Sequence, residues 1–118
     1  MAEMRTKLVG VTFKDEGEFG DRQKNIGALR SSELPVGLFM LNEVDNPFDP
    51  NAIKVFADEG FTRPLGYLKK DLARDLRAQE NSGWRYSVVL EQVTGDESKS
   101  LGCNVRILAE KAEKVGGV

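Results

Sequence analysis

Along residues 6–13, TKLVGVTF, apolar positions alternate so that Val9, Val11 and Phe13 share one face, which predicts a first strand. The polar, glycine-containing stretch KDEGEFGD reads as a loop. Asp21 is placed to cap a short helix, RQKNIGAL, whose Ile26 and Leu29 lie three apart on its inner face. Gly27 inside that helix costs about 1 kcal/mol relative to alanine, so packing must hold it. PVGLFMLNEV, residues 35–44, is a continuous apolar run and predicts a strand covered on both faces. NAIKVFA predicts a third strand with Ile53 and Val55 opposite Lys54 and Phe56. DEGF then turns into RPLGYL, a short strand that Pro64 confines to an edge.

Leu68, Leu72 and Leu76 recur every four residues, with Ala73 beside them, and predict a helix over 69–81. Lys70, Arg74 and Arg77 form a stripe on another face, tempered by Asp71 and Asp75. NSG ends this helix. Two strands close the chain, WRYSVVLEQV over 84–93 and LGCNVRILAE over 101–110, joined by TGDESKS. Leu101, Cys103, Val105 and Ile107 share a face, so Cys103 reads as a small core residue. The expected domain is thus 6–110, with tails at 1–5 and 111–118. Six strands and two short helices in about 100 residues predict a mainly β fold, a small OB-like antiparallel β-barrel with a helix over one opening.

Composition narrows the chemistry. The 118 residues, 40% hydrophobic and 31% charged, suit one globular domain. No apolar run approaches the roughly 18 residues that span a bilayer, and the N-terminus lacks a secretory pattern. A single cysteine leaves no internal disulfide and leads us to expect a reducing, cytoplasmic setting. With no histidine, Ser-His-Asp and Cys-His nucleophile arrangements and ordinary zinc sites are absent, and no phosphate-binding glycine loop occurs. We therefore expect a non-catalytic protein without cofactor or metal. A net charge of −2 argues against coating nucleic acid by bulk electrostatics. The charge is uneven, however. Residues 31–60 set six carboxylates against Lys54 alone, whereas residues 61–87 hold six basic residues and three acidic ones.

The stretch DNPFDPNA, residues 45–52, carries the strongest candidate chemistry. Asn46 and Asp49 each precede proline and are held extended, and each proline fixes φ and lacks an N–H. Phe48 is presented between them on a stiff loop, and Asp49 and Asn51 can turn onto their own backbone. Two readings remain open on these residues: a plug in which Phe48 fills the barrel end, or a pocket with a π-face and an anionic acceptor. Such an acceptor repels phosphate yet accepts a hydrogen bond from a free hydroxyl, which suits the end of a nucleic-acid strand. A calcium loop fits poorly, since Asp45 and Asp49 lack the glycine and distal glutamate of an EF-hand.

Together VGVTF, RQKNIGAL, VGLFMLNEVDNPFDPNAIKVF and PLGYLKKDLARDL, spanning about residues 6–80, make the sequence resemble the HIRAN domain family. This small module occurs alone in bacteria and phages and fused to some eukaryotic SNF2-type DNA remodelling enzymes. The resemblance implies a modified OB-like barrel that binds single-stranded DNA and favours a free 3′-hydroxyl end. By motif position it implies that Phe48 stacks on a terminal base and Asp49 accepts from the 3′-hydroxyl. Asn46 would order the loop or meet the terminal nucleotide, Tyr67 and Lys70 would line the pocket and meet phosphate, and Phe13 would pack on bases. The partners implied are single-stranded DNA ends and a helicase, nuclease or other repair protein, with no membrane; the oligomeric state stays open.

The chain departs from the family pattern at Thr12, where a basic residue is expected, and at Tyr67, where histidine is. Phe13 could equally be core, Tyr67 a rim residue and Lys70 a member of a solvated stripe. Arg22, at a helix N-terminus, suggests an external anion. The alternatives are a protein-interaction module on the same barrel, or a metal-dependent enzyme using Asp45, Asp49 or Asp58.

Overall fold

The structure, a computed structural model, describes residues 2–96 and 98–111. Its six strands form one curled antiparallel sheet in the order β1-β6-β5-β2-β3-β4. They are β1 Ala2–Lys7, β2 Val36–Asn42, β3 Ile53–Phe56, β4 Pro64–Tyr67, β5 Trp84–Thr94 and β6 Gly102–Lys111, with helices α1 Arg22–Ala28 and α2 Lys70–Glu80. The fold is mainly β, a half-barrel of OB-like type. Among the described residues it closes at one point, where the backbone of Val9 exchanges two 2.9 Å hydrogen bonds with Tyr67 at the end of β4.

The first strand lies earlier than its alternation predicts. Residues 2–7 pair with β6 from Ala2↔Ala109 to Lys7↔Asn104, so residues 2–5 are strand and not tail. Gly10 ends the extended run because it adopts φ +67°, which glycine alone reaches without strain, and Phe13 N donates back to Gly10 O. Alternation therefore stops at Gly10, and Phe13 leaves the Val9 face. At the other end β6 takes in Lys111, while the rest of the expected tail, 112–118, lies outside the described residues.

The core comprises Leu8, Ile26, Leu38, Ile53, Val55, Leu65 and Leu68 with Ala73, Leu76, Val88, Leu90, Cys103, Val105 and Ile107. Ala73 and Leu76 are the residues by which α2 enters it, as their spacing predicts. Cys103 is buried, and desolvation pushes its thiol up to about 12, in keeping with a packing role. Asp21 caps α1 by accepting from Lys24 N, and the helix is fastened by its polar face as well as by Ile26. Asn25 Nδ2 donates to Phe19 O and Pro64 O, tying α1 to edge strand β4. Gln23 bonds Val11 O and both the N–H and the carbonyl of Leu101.

One expectation about burial fails. In β2 only Leu38 is buried, because the strand leaves β5 after Leu38↔Val88 and continues along β3. The divergence opens a cleft lined by Phe39, Leu41, Trp84 and Tyr86. In β3, by contrast, all four residues are buried, Lys54 included, because this strand lies between β2 and β4 and charged side chains cover its polar face. Among the described residues no helix is long and apolar enough to cross a membrane.

Candidate nucleic-acid interface

Three segments meet at the closure point: the connector 8–14, the loop 43–52, and the end of β4 running into α2. Between them lies a groove of about 510 Å³. All six residues singled out from the sequence, Phe13, Asn46, Phe48, Asp49, Tyr67 and Lys70, line it.

The loop is built by its own side chains. Asn46 Oδ1 accepts from the backbone N–H groups of Phe48 (2.9 Å) and Asp49 (3.0 Å), and Asn46 Nδ2 donates to Glu43 Oε1 (3.2 Å). Asp49 Oδ1 accepts from Asn51 N at 2.9 Å, the expected Asx turn. Among the described residues Asp49 Oδ2 has no partner, so one carboxylate oxygen remains open for a donor. Glu43 N→Ala52 O and Ala52 N→Asp49 O close the base of the loop. Phe48 is 91% exposed at its tip, so it plugs nothing. Phe13 is 67% exposed on the connector, and the core reading fails there too. Lys70 is exposed at the first turn of α2 and makes no ion pair among the described residues, while Arg74 and Arg77 pair with carboxylates of their own helix.

Beneath the groove lies a charge network that periodicity did not reveal. Arg22 is 6% exposed and turns inward, donating from Nε (2.7 Å) and Nη2 (2.9 Å) to Asp15 and from Nη1 to Gly10 O (2.6 Å). The anion that Arg22 meets is therefore Asp15 of its own chain. Asp15 also accepts from Lys54 Nζ at 2.7 Å, and Glu43 Oε2 stands 3.8 Å from the same ammonium. The Arg22 hydrogen bond, seconded by Lys54 and opposed by burial, holds the Asp15 carboxyl below its ordinary range; the same Asp15 bond raises Arg22. Tyr67 Oη donates to Glu43 Oε1 at 2.6 Å, and its ring lies 5.2 Å from the Arg22 guanidinium and 5.5 Å from Lys54 Nζ. Burial first, then Glu43, push the phenol well above its usual range, so Tyr67 stays protonated. Its backbone closes the half-barrel while its ring walls the groove.

Arg22 at a helix N-terminus and Lys54 in an otherwise apolar strand were the sequence signals for this network; Asp15 and Glu43, in polar stretches, gave none. Lys14 also lines the groove, 3.7 Å from Asp21 Oδ2, and supplies a cation beside Phe13 where Thr12 does not. Asp58 is taken up by a turn, accepting from Thr62 N, Thr62 Oγ1 and Arg63 N. Among the described residues no three acidic or cysteine side chains are grouped to hold a metal ion.

No family model matches the chain, and no curated protein matches it in sequence. Two solved structures share its fold. The crystal structure of the HIRAN domain of human HLTF aligns with TM-score 0.57 and 19% identity over 89% of this chain and 72% of that one. A protein from Lactobacillus plantarum aligns with TM-score 0.56 and 18% identity over 90% of this chain and 97% of its own. The chain thus has a HIRAN-like fold, as its motifs imply.

Proposed function

We propose that this HIRAN-like domain is a non-catalytic module that binds the end of a single DNA strand in the groove between Phe13 and Phe48, favouring a free 3′-hydroxyl. The observation that carries the reading is the convergence of two exposed aromatic faces, two lysines and one half-engaged carboxylate on a single groove. Phe48 and Phe13 supply stacking faces, each worth roughly 1–3 kcal/mol per base. Lys14 and Lys70 meet backbone phosphates. Asp49, whose Oδ1 is fixed by Asn51 N, directs its other oxygen to the terminal hydroxyl. An additional phosphate at that position meets a carboxylate and is repelled.

Two stacks and two lysines beside an acidic loop predict dissociation constants on the order of micromolar, falling off with salt. Such a module presents strand ends to a helicase, nuclease or other repair protein inside the cell. The test compares fluorescence anisotropy of a labelled single strand bearing a 3′-hydroxyl with one bearing a 3′-phosphate. Wild type should bind the hydroxyl end more tightly, and Asp49→Ala should remove that preference by weakening the hydroxyl end. Equal loss of both ends would remove Asp49 from its assigned role.

A further inference from the structure

Glu43, the residue that follows β2, stands outside the groove but is bonded to two residues that line it. Its Oε1 accepts from Tyr67 Oη at 2.6 Å and from Asn46 Nδ2 at 3.2 Å. Its backbone N–H donates to Ala52 O and its carbonyl accepts from Asn46 N, so the base of the loop is pinned on the same residue. Burial and Glu43 together hold Tyr67 protonated, which keeps the phenol a donor.

The chemistry of that junction decides which way Asn46 faces. An amide offers an oxygen on one side and two N–H donors on the other, whereas a carboxylate only accepts. With Tyr67 holding Oε1 in place, Asn46 turns its NH₂ toward Glu43. That leaves Oδ1 for the backbone N–H groups of Phe48 and Asp49. Turned the other way, the amide would set its oxygen against a carboxylate and its N–H groups against two backbone donors. Resting on the end-binding reading above, we infer that Glu43 is a positioning residue for the strand end. Through Asn46 it sets the loop conformation that presents the Phe48 ring and the open Asp49 oxygen. As a negative charge Glu43 opposes a nucleic acid, while as a fixed acceptor it favours one. The two effects have opposite signs, so substitution separates them.

The experiment compares Glu43→Ala and Glu43→Gln in the full chain. Amide hydrogen exchange followed by NMR reads the loop without DNA, and anisotropy with a strand bearing a 3′-hydroxyl reads the site. Glu43→Ala should speed exchange at the Phe48 and Asp49 amides about tenfold and weaken binding about tenfold, the order expected when one hydrogen bond to a charged group is lost. Glu43→Gln keeps an acceptor oxygen for Tyr67 and Asn46 and loses the charge, so it should bind at least as tightly as wild type. Tyr67→Phe keeps the ring and the backbone closure, and it serves where Glu43→Ala does not fold. It should speed exchange at the same two amides about threefold, although its lost hydroxyl touches neither. Undiminished binding by Glu43→Ala, unchanged exchange in Glu43→Ala and Tyr67→Phe, or equal weakening in Glu43→Gln and Glu43→Ala overturns the inference while the hydroxyl preference of wild type stands. Failure of wild type to bind any strand overturns the end-binding reading and this inference with it.

Discussion

Asp15→Asn is the sharpest perturbation of the platform beneath the groove. The substitution keeps the side-chain volume and one carbonyl acceptor but removes the charge shared by two cations. Those cations are hidden: the Arg22 and Lys54 side chains are 7% and 11% exposed, against 24% for Asp15. Removing one side of a buried pair costs roughly 3–5 kcal/mol, because the remaining charge stays desolvated. The lower end applies here, since Gly10 O still accepts from Arg22 and Glu43 remains 3.8 Å from Lys54. We expect about 3 kcal/mol at pH 7, equivalent to about 12 °C in the melting midpoint of a domain this size.

The acid dependence supplies a second check. The folded chain holds the Asp15 carboxyl below its ordinary 3.8, mainly through Arg22. Its contribution is therefore complete above pH 3.8 and is lost as the pH falls through the lower folded value. The gap between wild type and Asp15→Asn should narrow below pH 3.8 in urea titrations read by Trp84 fluorescence. A cost under about 1 kcal/mol at pH 7, or a gap that persists undiminished in acid, would refute the account of the network.

Gly66→Ala tests the closure. A Cβ there falls 2.6 Å from Val9 O and 3.1 Å from Val11 Cγ1, so the two backbone bonds between Val9 and Tyr67 must lengthen. We expect about 2 kcal/mol lost in urea unfolding, with faster hydrogen exchange at the Val9 and Tyr67 amides; wild-type exchange there would contradict it. Phe48→Ala should leave stability within about 0.5 kcal/mol, because the ring touches little. Strand binding should nevertheless weaken by about 1–3 kcal/mol, the loss of one stacking platform; unchanged anisotropy titrations would remove Phe48 from the site.

The elements were legible where burial imposes a period. Leu68, Leu72, Ala73 and Leu76 marked α2, alternation marked β5 and β6, and Asp21 marked the start of α1. The loop at 45–52 was legible for a different reason, since its prolines and Asx residues act locally, and Phe48 and Asp49 could be placed on it directly. What failed was long-range. Gly10 interrupts the first alternating run, a signal for a break that the Val9, Val11, Phe13 pattern masked. The departure of β2 from β5 is set by sheet curvature and leaves no mark within residues 35–44. Arg22, Asp15, Lys54 and Glu43 lie in four separate segments, so no local pattern joins them; tertiary packing alone brings them under Tyr67.

The loop around Phe48 also bears on how the protein behaves among copies of itself. A phenyl ring 91% in water invites association, and the ends of an incompletely closed sheet offer bare strand edges to join. Pro47 and Pro50 withhold amide protons on either side of the ring, while Asn46 Oδ1 occupies the N–H groups of Phe48 and Asp49. No ladder can propagate through such a segment. Phe48 can therefore be sticky toward a flat, π-faced guest and inert toward a neighbouring backbone, so the adhesive tip is not itself a seed for fibres.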